Sequence, residues 1–181
     1  MKKADKLNAA QKSRTLVRFE SRFEDGFISG YVLGVGPAWF MLLLVDDRVR
    51  FNGHQFFRMS NISKLRTDPY EKFVETAMKK RKLRRPKAPR VDLSTTETLL
   101  RSTLGKCPLT TIHTEGVDPN VCYIGRIIAI DATTVSMLEI RPGAVWHRKP
   151  SSFRLRDITR LDIGGDYEDA LYLVGGEPAV C

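Results

Sequence analysis

The sequence predicts a mainly β protein made of two tandem small β-barrels, each with a leading and a closing helix. Three observations support this prediction. The chain repeats itself at an offset of 95 residues, which places Gly30 and its apolar strand on Gly125 and a similar strand. After one inserted residue the offset is 96, and 57–65 falls on 153–161. Within each copy, apolar and polar residues alternate as they do in half-exposed strands.

The repeat indicates one structural unit used twice. Upstream of the glycines the copies align without a gap, and Thr15 falls on Thr110. A unit of roughly 60 to 70 residues buries only a modest core alone. We therefore expect the two units to pack together as a pseudo-dimer, and a homo-oligomer is also possible. The predicted boundaries are 1–78 for the first unit, 79–92 for a basic linker and 93–181 for the second unit.

The elements of the first unit follow from local signals. A weak helix is predicted over 3–14, and strands are predicted over 15–65. Asn52-Gly53 lies between two strand-like runs and predicts a hairpin turn. Asp68 and the Pro and Glu residues after it predict the start of a closing helix. Two prolines within 86–89 are expected to end this helix, because proline cannot continue one.

The second unit shows the same order of signals. The segment 94–97, Ser-Thr-Thr-Glu, is a capping-box pattern that opens a leading helix, and Gly105 is its predicted end. Strands are predicted from 109 to about 161, and Asp166 is expected to cap a last short helix. About five short antiparallel strands bury their apolar faces best when they curve into a small barrel.

The net charge of +9 over 181 residues is concentrated in one place. The linker segment 79–90 has eight basic residues and no acidic one: Lys79, Lys80, Arg81, Lys82, Arg84, Arg85, Lys87 and Arg90. Such a segment can neutralise the phosphates of RNA or DNA without sequence preference. Alternatively, it is a solvated tether that its own charge keeps extended. The segment has no aromatic residue for base stacking, which favours the tether.

A second cationic stretch lies in the second unit, between residues 141 and 156. It has no acidic residue, and its candidate contacts are Arg141, Trp146, Arg148, Lys149, Arg154 and Arg156. Arginine next to an aromatic ring can hold a phosphate and stack a base. The alternative is that the arginines form the solvent-facing side of a strand, and that Trp146 belongs to the core or an interface.

Several protein classes are disfavoured by the sequence. The longest apolar run is 38–45, which is too short to span a membrane, and the basic N-terminus lacks the apolar stretch of a signal peptide. Three cysteines, an odd number, argue against a disulfide framework and favour the cytoplasm. The three histidines have no partner at metal-ligand spacing, and no nucleophile–base motif occurs. We expect no catalytic residue, no metal and no cofactor.

The glycine-bearing strand and the apolar strand after it resemble the Sm-like, or Hfq-like, proteins, which have SH3-type barrels. Gly125 and Asp131 have the spacing of the Gly and Asp in the first Sm motif, with Ile127, Ile130 and Met137 at its apolar positions. The resemblance covers about 60 residues in each half and implies the barrel fold.

The resemblance does not extend to the family's RNA-contacting side chains. The position of its Asn falls on Val135 and, in the first copy, on Phe40. The Arg-Gly pair of the second Sm motif is absent from 61–64 and 157–160. The usual uracil pocket is therefore not implied. The tail 158–171 also looks like one found in uncharacterised bacterial proteins, a resemblance that implies kinship and no activity.

Two functional hypotheses follow. The first is a non-catalytic interaction protein, whose paired units present strand edges or a groove to a protein partner. Its basis is a duplicated fold without a duplicated polar site. The second is a nucleic-acid-binding protein, with RNA as the expected ligand, that uses the basic linker and the cationic stretch 141–156. An enzyme whose site lies between the units is a weaker third possibility.

Overall fold

The structure is a computed structural model that describes residues 2–66 and 70–178. The helices are α1 Lys3–Ser13, α2 Tyr70–Lys80, α3 Thr96–Thr103 and α4 Asp166–Gly175. The first half has strands β1 Leu16–Ser21, β2 Ile28–Val35, β3 Trp39–Val45, β4 Phe51–Arg58 and β5 Ile62–Arg66. The second half has β6 Thr110–His113, β7 Cys122–Ile130, β8 Thr134–Arg141, β9 Val145–Trp146, β10 Ser151–Arg154 and β11 Arg160–Ile163. Short 3₁₀ turns, Met59–Asn61 and Leu155–Asp157, precede β5 and β11.

All the strands belong to one open antiparallel sheet. Its order is β10-β8-β7-β6-β11-β4-β3-β2-β1-β5, and β9 pairs with the end of β8. The predicted mainly β class is confirmed, but the strands do not close into two barrels. The reason is that β4 of the first half pairs with β11 of the second half, so that one sheet continues through both. The strands β10 and β5 are left at its two ends.

The two halves have the same strand order and nearly the same register. Gly30 lies opposite Leu44, and Gly125 lies opposite Glu139, as the offset of 95 requires. Both β2 and β7 contain a register shift at the matching place, after Val32 and after Ile127. In the next pair of strands the halves match at the offset of 96, because Arg58 lies opposite Trp39 as Arg154 lies opposite Thr134.

The ungapped alignment of the first strands is wrong by two residues. Val17 lies opposite Gly30 in the first half, whereas Thr110 lies opposite Gly125 in the second. The structural counterpart of Val17 is therefore Thr110, at an offset of 93. The connection after β6 is longer than that after β1, and it absorbs the difference.

The helices cover the two faces of this sheet. Leu7 of α1 packs in the cluster of Phe19, Phe40 and Phe57, while Val74 and Met78 of α2 pack on the opposite face. In the second half, α3 covers the face that corresponds to that of α1, and α4 covers the face that corresponds to that of α2. The largest buried cluster joins the halves, because Trp39, Met41 and Phe56 pack with Leu99 and Leu100 of α3 and with the second-half strands.

Several predicted boundaries move. Asn52-Gly53 lies inside β4, and the turn before it is closed by Asp46, whose carbonyl and carboxylate accept the amides of Val49 and Arg50 at 2.9 Å. Thr95 caps α3 through its hydroxyl, one residue later than the start of the predicted box. Gly165 holds the N-cap position of α4 in place of Asp166.

The helix α2 ends before the prolines. Its last residue is Lys80, and Lys82 has a left-handed backbone with φ 54° that closes the final turn. Asp68 and Pro69, the predicted start signals, lie outside the described residues. No helix in the described parts of the chain is long and apolar enough to cross a membrane.

Candidate nucleic-acid interface

The basic linker follows a fixed path over the first half. The Arg81 guanidinium donates to the carbonyls of Arg48 and Val49 at 2.5 and 3.1 Å. Arg85 donates to the carbonyl of Arg14 at 3.1 Å, and its guanidinium lies 3.6 Å from the ring centroid of Tyr31. Two of the eight linker cations thus bind the linker to the folded unit.

Apolar contacts fix the C-terminal part of the linker. Ala88, Val91 and Leu93 pack against the cluster that joins the halves. The carbonyl of Leu93 accepts the amide of Trp39 at 3.2 Å. Leu93 also lies so close to Gly36 that a Cβ added there would be 2.5 Å from the Leu93 Cβ. The linker and Leu93 therefore pack against the folded protein, and we call residues 79–93 the strap. Residues 83–93 form neither helix nor strand.

The strap leaves its basic side chains exposed. All eight basic residues of 79–90 are solvent-exposed. Within the ranges that the structure describes, none forms an ion pair with a carboxylate. Arg81 and Arg85 are partly used by the contacts above, and no side-chain hydrogen bond to a described residue holds the other six: Lys79, Lys80, Lys82, Arg84, Lys87 and Arg90.

The strap leads into a cavity between the halves, which we call the arginine cavity. It has a volume of about 590 Å³. Three arginines line it from two strands and a turn: Arg58 at the end of β4, Arg154 at the end of β10 and Arg156 in the 3₁₀ turn. The other wall residues are Thr95, Thr96, Glu97, Ala132, Thr133, Thr134 and Leu155.

Arg58 is held in this cavity by the second half. Its Nε donates to the carbonyl of Ile158 at 2.5 Å, and its Nη2 donates to the carbonyl of Leu155 at 2.8 Å and to the Thr96 hydroxyl at 3.1 Å. The guanidinium also lies 4.9 Å from the ring centroid of Trp39. Burial lowers the pKa of Arg58, and the charge of Asp157 acts against that shift. The guanidinium remains a cation at neutral pH.

The other two arginines are free to meet a ligand. Arg154 and Arg156 are exposed, and the Nε of Arg156 lies 3.7 Å from the carboxylate of Asp157. Hydrogen bonds hold the loop beside them, in which Asp131 Oδ1 accepts the amides of Thr133 and Thr134 at 2.9 and 2.8 Å. The Thr134 hydroxyl and these amides lower the pKa of Asp131 to about 2.

The predicted cationic stretch 141–156 does not form one surface in the structure, because its two ends lie apart. Arg154 lies opposite the first residue of β8, whereas Arg141 is its last residue, which puts them roughly 20 Å apart at ~3.3 Å per residue. Arg148 and Lys149 are exposed near Arg141. The indole of Trp146 is partly buried and donates to the carbonyl of Gly176 at 3.2 Å, so it has a structural role.

A buried polar cluster lies at the seam between β4, β11 and β6, away from the arginine cavity. His113 Nε2 lies 3.0 Å from Asp162 Oδ2, and Arg160 donates to the same oxygen at 3.1 Å. Burial opposes the charged imidazole, but the hydrogen bond and charge of Asp162 outweigh it and raise the pKa of His113. Burial would raise the pKa of Asp162, yet Arg160 and His113 lower it.

This seam was not predicted as a site. His113 and Glu115 are two residues apart in the sequence, and in the structure both lie at the seam, with His113 Nδ1 3.8 Å from Glu115 Oε1. Nearby, His54 Nε2 and Asp162 Oδ1 have no partner among the described atoms, and both residues line a cavity of about 80 Å³. In residues 2–66 and 70–178, no three His, Cys, Asp or Glu side chains are placed to bind a metal.

Comparisons with known proteins give no relative from which to transfer a role: no family model matches the chain, and no curated protein or solved structure matches it significantly.

Proposed function

We propose that this protein is a non-catalytic, nucleic-acid-binding protein built from two Sm-like units, and that it binds single-stranded RNA along the linker strap. The observation that supports this proposal best is the fixed path of the linker. Six uncommitted cations are presented on a packed strap that ends at three further arginines. A free tether would need neither the Arg81 and Arg85 anchors nor the apolar contacts of Leu93.

The chemistry of the strap fits a polyanion of regular charge spacing. The six cations follow one another along one surface segment, so they can meet several phosphates of the same strand. Tyr31, the aromatic side chain under the strap, is covered by Arg85. We therefore expect contacts to phosphates and little base stacking, hence weak sequence preference. The reducing cytoplasm remains the proposed compartment.

The test removes the charge and keeps the strap in place. A variant with Lys79, Lys80, Lys82, Arg84, Lys87 and Arg90 changed to Gln retains Arg81, Arg85 and Leu93. Binding of a labelled single-stranded RNA is followed by fluorescence anisotropy at several salt concentrations. The slope of log K against log salt is negative, and each lost phosphate contact reduces its magnitude by about 0.7. Six lost contacts should therefore reduce it by about 4.

The matched control changes two exposed lysines outside the strap and the cavity, Lys64 and Lys106, to Gln. This control should lose far less affinity than the strap variant. Equal affinities and equal salt slopes for the wild type, the strap variant and the control would contradict the proposal. Circular dichroism and thermal melts establish that all three proteins are folded.

Protein–protein interaction remains a second candidate, and a separate observation favours it. Leu173 and Val174 on α4 are 85% and 77% exposed, and Val145, beside the contact of Ala144 with Gly175, is 60% exposed. Exposed apolar patches often mark partner sites. The free strands β5 and β10 are short and carry Lys64, Arg66 and Arg154, a composition that discourages pairing with another strand. Purification from the native host, with and without nuclease, separates a nucleic-acid partner from a protein partner.

A further inference from the structure

We infer that the arginine cavity is a binding site for a terminal phosphate monoester, belonging either to the end of a nucleic-acid strand or to a free mononucleotide. The end of a nucleic-acid strand, as the source of the phosphate, rests on the proposed function. The inference itself rests on the cavity, on the three guanidinium groups that line it and on the bonds that hold one of them in place.

Arg58 supplies a preorganised donor. Its Nε and Nη2 are bound to carbonyls of the second half and to Thr96, while its Nη1 forms no hydrogen bond to any residue that the structure describes. The guanidinium is therefore held in place in the cavity wall, and Nη1 is left to bind a ligand. A donor that is already oriented loses little conformational entropy when it binds an anion.

Arg154 and Arg156 supply two adaptable donors on the opposite strand end. Neither is committed to a hydrogen bond among the described residues, and both reach the cavity from the surface. Guanidinium groups bind phosphate oxygens through paired, charge-assisted hydrogen bonds. Together with Arg58, they place three guanidinium groups around one cavity.

The acidic side chains near the cavity do not cancel this charge. Glu97 lines the wall, but its carboxylate accepts Arg101 Nε at 2.9 Å and is thereby neutralised. Asp157 lies 3.7 Å from Arg156, and its charge opposes the lowering of the Arg58 pKa by burial. Asp131, in the adjoining loop, is a carboxylate whose low pKa keeps it ionised, so these two negative charges offset two of the three guanidinium groups. The local balance stays positive, which favours the dianionic monoester over the singly charged diester of a continuous strand.

The position and size of the cavity indicate which phosphate it takes. The strap enters the folded second half at Leu93, and Thr95 and Thr96 of the next turn are already in the cavity wall. A strand that lies along the strap therefore has one end at the cavity. The volume of about 590 Å³ is within the range of small-ligand sites and admits a whole nucleotide.

The experiment compares one RNA sequence with a 5′-phosphate, with a 3′-phosphate and with neither. Wild-type protein should bind one of the phosphorylated strands about tenfold more tightly than the unphosphorylated strand, since a charge-assisted contact changes affinity by that order. Changing Arg154 and Arg156 together to Gln should abolish this preference. The strap variant should bind all three strands more weakly but retain the preference.

Competition by a mononucleotide and by inorganic phosphate identifies the source of the phosphate. If no RNA binds but the mononucleotide binds wild type and not the Arg154→Gln/Arg156→Gln variant, the cavity site stands and the proposed RNA function fails. If all three strands bind wild type equally and the mononucleotide does not compete, the cavity has no phosphate site and the inference is overturned. Melting curves of the double variant confirm that it is folded, because both side chains are exposed.

Discussion

Arg58 and Arg154 occupy the same position in the two halves and should respond differently to the same change. Each lies opposite the first residue of its partner strand, Trp39 of β3 or Thr134 of β8. Arg58 bonds across the joint to Ile158, Leu155 and Thr96, whereas Arg154 is exposed and forms no hydrogen bond to any described residue. Arg58→Met keeps most of the aliphatic volume and removes the donors, and Arg154→Met is its matched control.

The expected cost of Arg58→Met follows from the acceptors that it leaves behind. A hydrogen bond from a charged donor contributes about 1.5 to 3 kcal/mol, and the half-exposed position of Arg58 places each bond at the low end. The two shortest bonds, to Ile158 and Leu155, together predict a loss of about 3 kcal/mol. For a chain of this length that loss lowers Tm by roughly 6 to 12 °C.

Thermal and urea unfolding of both variants test this reasoning. Arg154→Met should remain within about 0.5 kcal/mol of wild type, as surface substitutions usually do. Equal destabilisation by the two changes would mean that the position matters for strand geometry and not for the bonds across the joint. A neutral Arg58→Met would show that the bonds to the second half contribute nothing.

Three further predictions concern the core, the close strand contact and the seam. Ile158→Ala should cost about 2 to 5 kcal/mol in urea unfolding, because Ile158 is fully buried; an unchanged midpoint would remove it from the core. Gly125→Ala should cost about 1 to 3 kcal/mol by the same measurement, since its Cβ would come 2.1 Å from the Leu138 carbonyl oxygen; wild-type stability would show that the strands separate freely. The raised pKa of His113 stabilises the fold below about pH 6.5, and this contribution is lost as pH rises through the folded-state pKa. His113→Gln should therefore reduce the loss of stability above neutral pH. Burial lowers the pKa of His54, so His54→Gln should instead reduce the loss of stability at acidic pH. Melting temperatures of both variants that follow the wild-type pH dependence would refute the assignment.

The strands and the internal repeat could be predicted because each leaves a local pattern of apolar and polar residues in the sequence. Gly30 and Gly125 mark the same close approach of two strands, and no side chain fits there without moving the neighbouring backbone. The first strand was misplaced by two residues because both alignments put apolar residues at alternate positions. A shift of two preserves which side chains face the core, so the pattern alone cannot distinguish the two registers.

The joint between the halves could not be predicted from the same patterns. The halves join where β11 pairs with β4, whose residues are about 100 positions away in the sequence. At the same seam Asp162 lies 49 positions from His113, and the two meet because β11 also pairs with β6. The linker was also misjudged as a tether, since its charge gave no sign of the contacts that fix it. Leu93 and Val91 are its apolar signals, and they lie at the end of the segment, outside the basic run.

The divergence of one residue pair explains why the two copies of one arginine line the arginine cavity in different ways. Trp39 and Thr134 are structural counterparts, each opposite the arginine that ends its partner strand, β4 or β10. Trp39 is fully buried in the core that joins the halves, and its ring lies against the guanidinium of Arg58. Thr134 is a small residue whose hydroxyl binds Asp131, so the space beside Arg154 stays open. The first copy of the arginine is thereby fixed against the second half, while the second copy faces the same cavity and forms no hydrogen bond to any residue that the structure describes. Both chemical roles that an anion site needs, an oriented donor and a free one, thus follow from one duplicated position.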